Sequence, residues 1–180
     1  MDLRAERTQD RVAVRDIHRR AFRDHGDVVA TLVDALREDD PAALSIVAEE
    51  AGEVVGHVMF SRSLLDAPRR LIAVQVLSPL AVAPDRQRPC IGSALMRHGL
   101  DLLDQRGVPL VFVEGDPRYY SRAGFYPGRE RGFRKPSLRI PDAAFQALPL
   151  TAYEPWMNGT LVYSATFWDH DCVGLRGSPD

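Results

Sequence analysis

Apolar residues recur along the chain with two periods, and the switches between them mark out the elements. From Asp10 to Phe22, the residues Val14, Ile17, His18 and Ala21 fall three and four apart, which predicts a helix with Asp10 as its N-cap. After Gly26, Val28, Val29, Leu32, Val33 and Leu36 repeat that spacing up to the acidic, proline-marked stop at Asp39, Asp40 and Pro41. Leu3 to Glu6 predicts a short first strand. Leu44 to Glu49 and Val54 to Ser63 predict a hairpin turning at Ala51, Gly52 and Glu53. Gly56, inside its second arm, points to a bulge or a close backbone approach. Leu71 to Val82 predicts a long third strand. Pro79 removes one ladder donor from it, and the splay expected there leaves the backbone of Leu80, Ala81 and Val82 partly unpaired.

Gly92 to Arg106 carries Leu95, Leu102 and Leu103 on one helical face, with Gly107 placed as a left-handed stop. Leu110 to Val113 predicts a buried strand. Asp116 and Pro117 read as the N-cap and first residue of a short helix that Gly124 ends. Beyond Phe125 the chain turns rich in Pro, Gly and Arg. A turn or two of helix is predicted around Ala143 to Leu148, a last strand from Leu161 to Phe167, and a frayed tail over residues 174–180. The order β-α-α-β-β-β-α-β-α-β predicts a mixed α/β fold in one domain over residues 1–180, with a twisted, mostly antiparallel central sheet flanked by helices.

A chain of 180 residues is long enough to bury a core of its own. The formal net charge of −2 lends no support to a nucleic-acid or anionic-membrane partner. No apolar run approaches the length of a membrane span, and the charged start MDLRAERTQD lacks the core of a signal peptide, so a cytoplasmic location is expected. Cys90 and Cys172 lie far apart without metal-type spacing and read as free thiols. The five histidines form no H-E-x-x-H or similar cluster, so no metal is expected.

The chemistry concentrates in residues 80–95, LAVAPDRQRPCIGSAL, where a strand end, a basic turn and a helix start follow in order. Helix-initial N–H groups lack helical partners and the dipole favours negative charge, so this is an anion site to which Arg86 and Arg88 add charge. It is neither a G-x-x-x-x-G-K-[ST] nor a G-x-G-x-x-G phosphate loop. Read without any family pattern, it is a basic surface turn before an ordinary helix.

The pattern V-x-P-x-x-Q-x-x-C-I-G-x-x-L resembles the pyrophosphate loop of the GNAT superfamily of acetyl-coenzyme A-dependent N-acetyltransferases, whose usual form is Q/R-x-x-G-x-G/A. Gln87 and Gly92 match. Cys90 stands where the first glycine sits, and Pro89 has no N–H to donate. The segments GDPRYYSRAGF (115–125) and LVYSATF (161–167) extend the resemblance to the YhbS-like branch of predicted acetyltransferases.

That resemblance implies acetyl-CoA as co-substrate and no metal. The pantetheine arm would run along Leu80, Ala81 and Val82, and the pyrophosphate would sit on Arg86, Gln87, Arg88, Cys90, Ile91, Gly92 and Ser93. Transfer to an amine needs three things: an amine freed of its proton, whose pKa is about 10.4; a donor to the oxyanion, worth roughly 3 kcal/mol; and a proton for the departing thiolate, whose parent pKa is about 8.5. The resemblance puts Tyr120 in the general-acid role. Neighbouring helical residues point about 100° apart, so Tyr119 does not share it. Glu114 is the candidate base, set against the reading of an unremarkable exposed carboxylate. Asp116 is assigned to capping, and His57 to a hydrogen-bonded core position in preference to a base.

The resulting expectation is an acyl-CoA-dependent N-acyltransferase, moving acetyl to a primary amine of a small molecule by direct attack on the thioester. Two alternatives stand beside it: a non-catalytic CoA-binding or interaction module with a degraded pyrophosphate loop, and a protein-modifying acetyltransferase. The sequence leaves the oligomeric state open, a homodimer included.

Overall fold

The first strand, β1 (Asp2–Ala5), pairs antiparallel with β2 (Leu44–Glu50) in a computed structural model that describes residues 1–87 and 90–174. Between them lie α1 (Arg11–Phe22) and α2 (Gly26–Asp39), packed on each other. Then come β3 (Glu53–Asp66), β4 (Leu71–Val82), α3 (Ile91–Gln105), β5 (Leu110–Glu114) and α4 (Pro117–Tyr120). The chain continues through β6 (Tyr126–Pro127), β7 (Phe133–Arg134), β8 (Phe145–Pro149), β9 (Gly159–Val162) and α5 (Ala165–Asp169). The fold is mixed α/β: β1–β2, β2–β3, β3–β9, β5–β8 and β6–β8 pair antiparallel, and β4–β5 and β7–β9 pair parallel.

The chain divides into two units. One comprises Met1–Ser61 and Leu77–Leu103, the other Arg62–Val76 and Asp104–Asp180. In the first, the strand order is β1-β2-β3-β4. Its helices bury Val14, Ile17, Leu32, Val33 and Leu36, the positions that the 3.6-residue period picks out. Val28 is the exception and lies exposed, because the buried stripe of α2 runs through Ala30 instead. Between β2 and β3 the register slips, Ala48 facing Gly56 but Glu49 facing Val54, so Val55 is the bulged residue. Gly56 is also a close approach: a Cβ there would meet Leu95 and Ile91 of α3 at 3.0 and 3.1 Å and the Ala81 carbonyl at 3.3 Å.

Asp10 does not cap α1 as expected. Its backbone is already helical, and its carboxylate reaches back to the Arg7 N–H at 2.7 Å and to Arg4 at 2.6 Å. It thereby closes a short 3₁₀ turn, Thr8–Asp10, ahead of the helix.

In the second unit the strand order is β4-β5-β8-β6, with β9 joining β3 and β7 joining β9. The parallel pairing of β4 and β5 matches Gln75 with Val111 and Val76 with Phe112. Two expectations are corrected here. Residues 143–148 are not helical: Phe145–Pro149 is β8, antiparallel to β5. Five residues are too few to show a period of their own, and pairing with β5 decides their form. The last strand stops at Val162, and Ala165–Asp169 is helical. Tyr163 and Phe167, four residues apart and both buried, bring their rings within 4.8 Å, and that contact overrides the strand propensity of the segment. Gly174 is held by a hydrogen bond to Glu114, while residues 175–180 of the expected tail lie outside the described residues.

Candidate active site

In the first unit β4 ends with Ala81 buried and Leu80 and Val82 half-buried. The Ala83 N–H donates to the Val55 carbonyl at 2.9 Å, anchoring the strand's exit to β3. A 3₁₀ turn, Pro84–Arg86, follows, and exposed Gln87 turns its amide back to the Val82 carbonyl at 3.4 Å. Arg88 and Pro89 lie outside the described residues. The Ala94 N–H donates to the Cys90 carbonyl at 2.8 Å, the first bond of α3. The N–H groups of Ile91, Gly92 and Ser93 therefore open the helix without helical acceptors, the arrangement that receives a diphosphate. Exposed Cys90 is a free thiol at the mouth of this tip. Arg86 is turned elsewhere: its guanidinium stands 3.7 Å from both Glu50 and Glu53.

His57 is entirely buried in the same unit. Its Nε2 is 2.8 Å from Ser45 Oγ, and its Nδ1 is 2.7 Å from His18 Nε2. Ser45 also bonds Glu6, a carboxylate that only accepts, so the serine donates there and accepts from His57. His57 Nδ1 must then accept from His18. The ring is a core hydrogen-bonding group, as the sequence suggested, and Arg37 closes the network on Glu6 at 2.6 Å.

In the second unit Glu114 ends β5, half-buried, with Oε2 accepting from the Gly174 N–H at 3.3 Å. Burial raises its pKa, against the opposing pull of that N–H and of Arg139. Asp116 caps α4 as expected, taking the Arg118 N–H at 2.9 Å, with Pro117 first in the helix. Tyr119 and Tyr120 meet edge to face with centroids 5.0 Å apart, and Tyr120 also packs on Phe125 at 5.8 Å. The Tyr120 ring occupies the space a Cβ on Gly115 would need. Burial pushes the Tyr120 hydroxyl pKa up, so it holds its proton throughout the neutral range.

The structure sets Tyr120 in the short helix that follows Glu114 and opens α3 with Ile91, Gly92 and Ser93, while Arg86 is drawn aside to Glu50 and Glu53. It adds residues that sequence reasoning missed. Buried Gln146 donates from Nε2 to the Gly115 carbonyl at 3.1 Å, and Gly174 reaches Glu114; the partners are 31 and 60 residues apart, with no local signal to announce them. Among the described residues no helix is long and apolar enough to cross a membrane, and no group of three His, Cys, Asp or Glu could hold a metal ion.

A family model described as an acetyltransferase (GNAT) domain matches residues 2–128. The chain belongs to the GNAT acetyltransferase family. It is 36% identical over 152 residues to YjhQ of Escherichia coli (strain K12), described as an uncharacterized N-acetyltransferase, covering 81% of this chain and 82% of YjhQ. To YhbS of the same strain, described in the same words, it is 33% identical over 170 residues, covering 88% of this chain and 99% of YhbS. Among solved structures, the GNAT protein YhbS from Escherichia coli in complex with CoA matches with a TM-score of 0.82 at 30% identity, over 92% of this chain and 91% of that one. A GNAT acetyltransferase from Brucella melitensis in complex with acetyl-CoA matches with a TM-score of 0.72 at 34% identity, over 92% and 97%. The family and the YhbS likeness read from the loop and the tyrosine segment therefore stand.

Proposed function

We propose that this GNAT chain transfers an acetyl group from acetyl-CoA to the primary amine of a small molecule in the cytoplasm. The observation that carries the reading is the match, over nine-tenths of the chain, to a YhbS structure holding CoA. The open N–H groups at the start of α3 suit the diphosphate of that donor. Leu80, Ala81 and Val82 would line the pantetheine arm, with one backbone N–H donating to the oxyanion. Glu114, its pKa raised by burial, takes the proton from the amine, directly or through water. The nitrogen lone pair attacks the thioester carbonyl, the C–S bond breaks, Tyr120 gives its proton to the departing sulfur, and the proton shed by the new amide nitrogen restores the phenol.

The test is Tyr120→Phe. Turnover in a thiol-release assay should fall about 100-fold while the Kd for CoA by calorimetry stays within twofold. Undiminished turnover would remove Tyr120 from the mechanism, and no binding heat with CoA would remove the donor itself. Two observations favour the second reading, a CoA-binding module without efficient transfer: Cys90 stands in the place of glycine, and Arg86 is drawn to Glu50 and Glu53. Binding without thiol release across a broad amine panel would decide for it.

A further inference from the structure

After α5 the chain makes a second use of Glu114. α5 ends in a Schellman turn, with the Cys172 N–H donating to the Phe167 carbonyl at 2.8 Å and the Asp171 N–H to the Trp168 carbonyl at 3.0 Å. Asp171 occupies the left-handed position, φ 51°, where glycine is usual. Its carboxylate, 3.2 Å from Arg139 Nη1, secures the turn from outside the helix. The reversal sends Val173 into complete burial and sets Gly174 against the backbone of Arg139. A Cβ on Gly174 would stand 2.7 Å from the Arg139 carbonyl carbon and 2.9 Å from its oxygen, and φ there is 65°. Only glycine fits that position without displacement. So seated, Gly174 donates its N–H to Glu114 Oε2 at 3.3 Å.

We propose that residues 171–174 form a carboxy-terminal strap that positions the acid–base site: the Gly174 N–H fixes one oxygen of Glu114 and favours its ionised form. Arg139, between β7 and β8, works in the same direction on Glu114. Burial raises the pKa of Tyr163, following β9, and of Cys172, within the strap, and the carboxylate adds to both. Asp171 adds its negative charge at Cys172 and is itself paired with Arg139. An N–H donated to a carboxylate lowers the pH at which it ionises, so loss of the strap raises that pH. The strap is the device that keeps a burial-raised carboxylate charged where a base has to be.

The inference rests on Glu114 acting as the base, and the experiment separates the two. The 180-residue chain is compared with Gly174→Ala, which forces a Cβ onto Arg139, and with Arg139→Gln, which releases Asp171, removes the guanidinium's own pull on Glu114 and keeps the glycine. Carbon-detected NMR follows the Glu114 carboxyl through a pH titration, and thiol release gives the pH profile of kcat/KM. Both variants should raise the Glu114 midpoint by about 0.5–1 on the pH scale, with the acid limb of kcat/KM moving alongside. A Glu114 midpoint unmoved in Gly174→Ala overturns the strap. A midpoint that rises while the acid limb stays in place upholds the strap and removes Glu114 as the base.

Discussion

Two imidazoles lie where water does not reach, and their protonation is tied to folding. Burial drives the pKa of His18 down to about 2, and burial likewise lowers His57 against the raising pull of Glu6. Each histidine is therefore neutral in the folded chain, while the unfolded chain binds protons at both below about pH 6.5. The stability they allow is whole above that pH and is lost as the pH falls, by about 1.4 kcal/mol per pH unit for each ring. Glu6 adds to the loss further down. Burial pushes it up, but His57, Arg37 and Ser45 outweigh that and bring it from 4.5 to about 2, so its contribution fades below pH 4.5. Urea midpoints should be level above pH 7.5 and fall steadily from pH 6.5 to 5. Equal midpoints at pH 7.5 and 5 would mean that the rings can be charged without opening the core.

At the scale of elements, α3 lies against β3 through an absence. Gly99 leaves the space that the ring of Phe60 fills, and a Cβ there would stand 2.2 Å from Phe60 Cε2. Gly99→Ala should cost about 1–3 kcal/mol, read as a lower melting temperature with helical content retained. A melting temperature equal to wild type would show that Phe60 can turn aside. The same elements show what the sequence could convey. α1, α2, α3 and β2 to β5 were legible because each has a long apolar period or a clear stop, as at Gly107, whose φ is 72°. β8 was not, because its five residues take form from β5, a partner far off in sequence, and α5 was not, because the Tyr163–Phe167 ring contact overrides a strand-like pattern. Asp10 misled for a related reason. An aspartate before a helix suits a cap, but Arg4 and the Arg7 N–H compete for the same oxygens. In the site, the helix tip and the Asp116 cap are local and could be read. The contacts to Glu114 and to the Gly115 carbonyl come from Gly174 and Gln146, 60 and 31 residues on.

For the molecule as a whole, the open question is how firmly the donor is held. In the proposed donor loop, Cys90 brings a side chain to a place where glycine would let the backbone close on phosphate oxygens. Cys90→Gly should tighten CoA about tenfold by calorimetry, the worth of about one regained N–H contact. An unchanged Kd would show that the helix tip already takes the diphosphate without hindrance. The outcome also bears on the two functional readings, since a loop that gains nothing from glycine is not a degraded one.

Arg86 begins its work already in company. A diphosphate that recruited it would not meet a bare cation but would trade places with Glu50 and Glu53, each 3.7 Å away. Added salt loosens the old partnership as well as the new one. The exchange makes this arginine an ionic buffer for the loop, so donor binding would depend less on ionic strength than a tally of basic residues suggests.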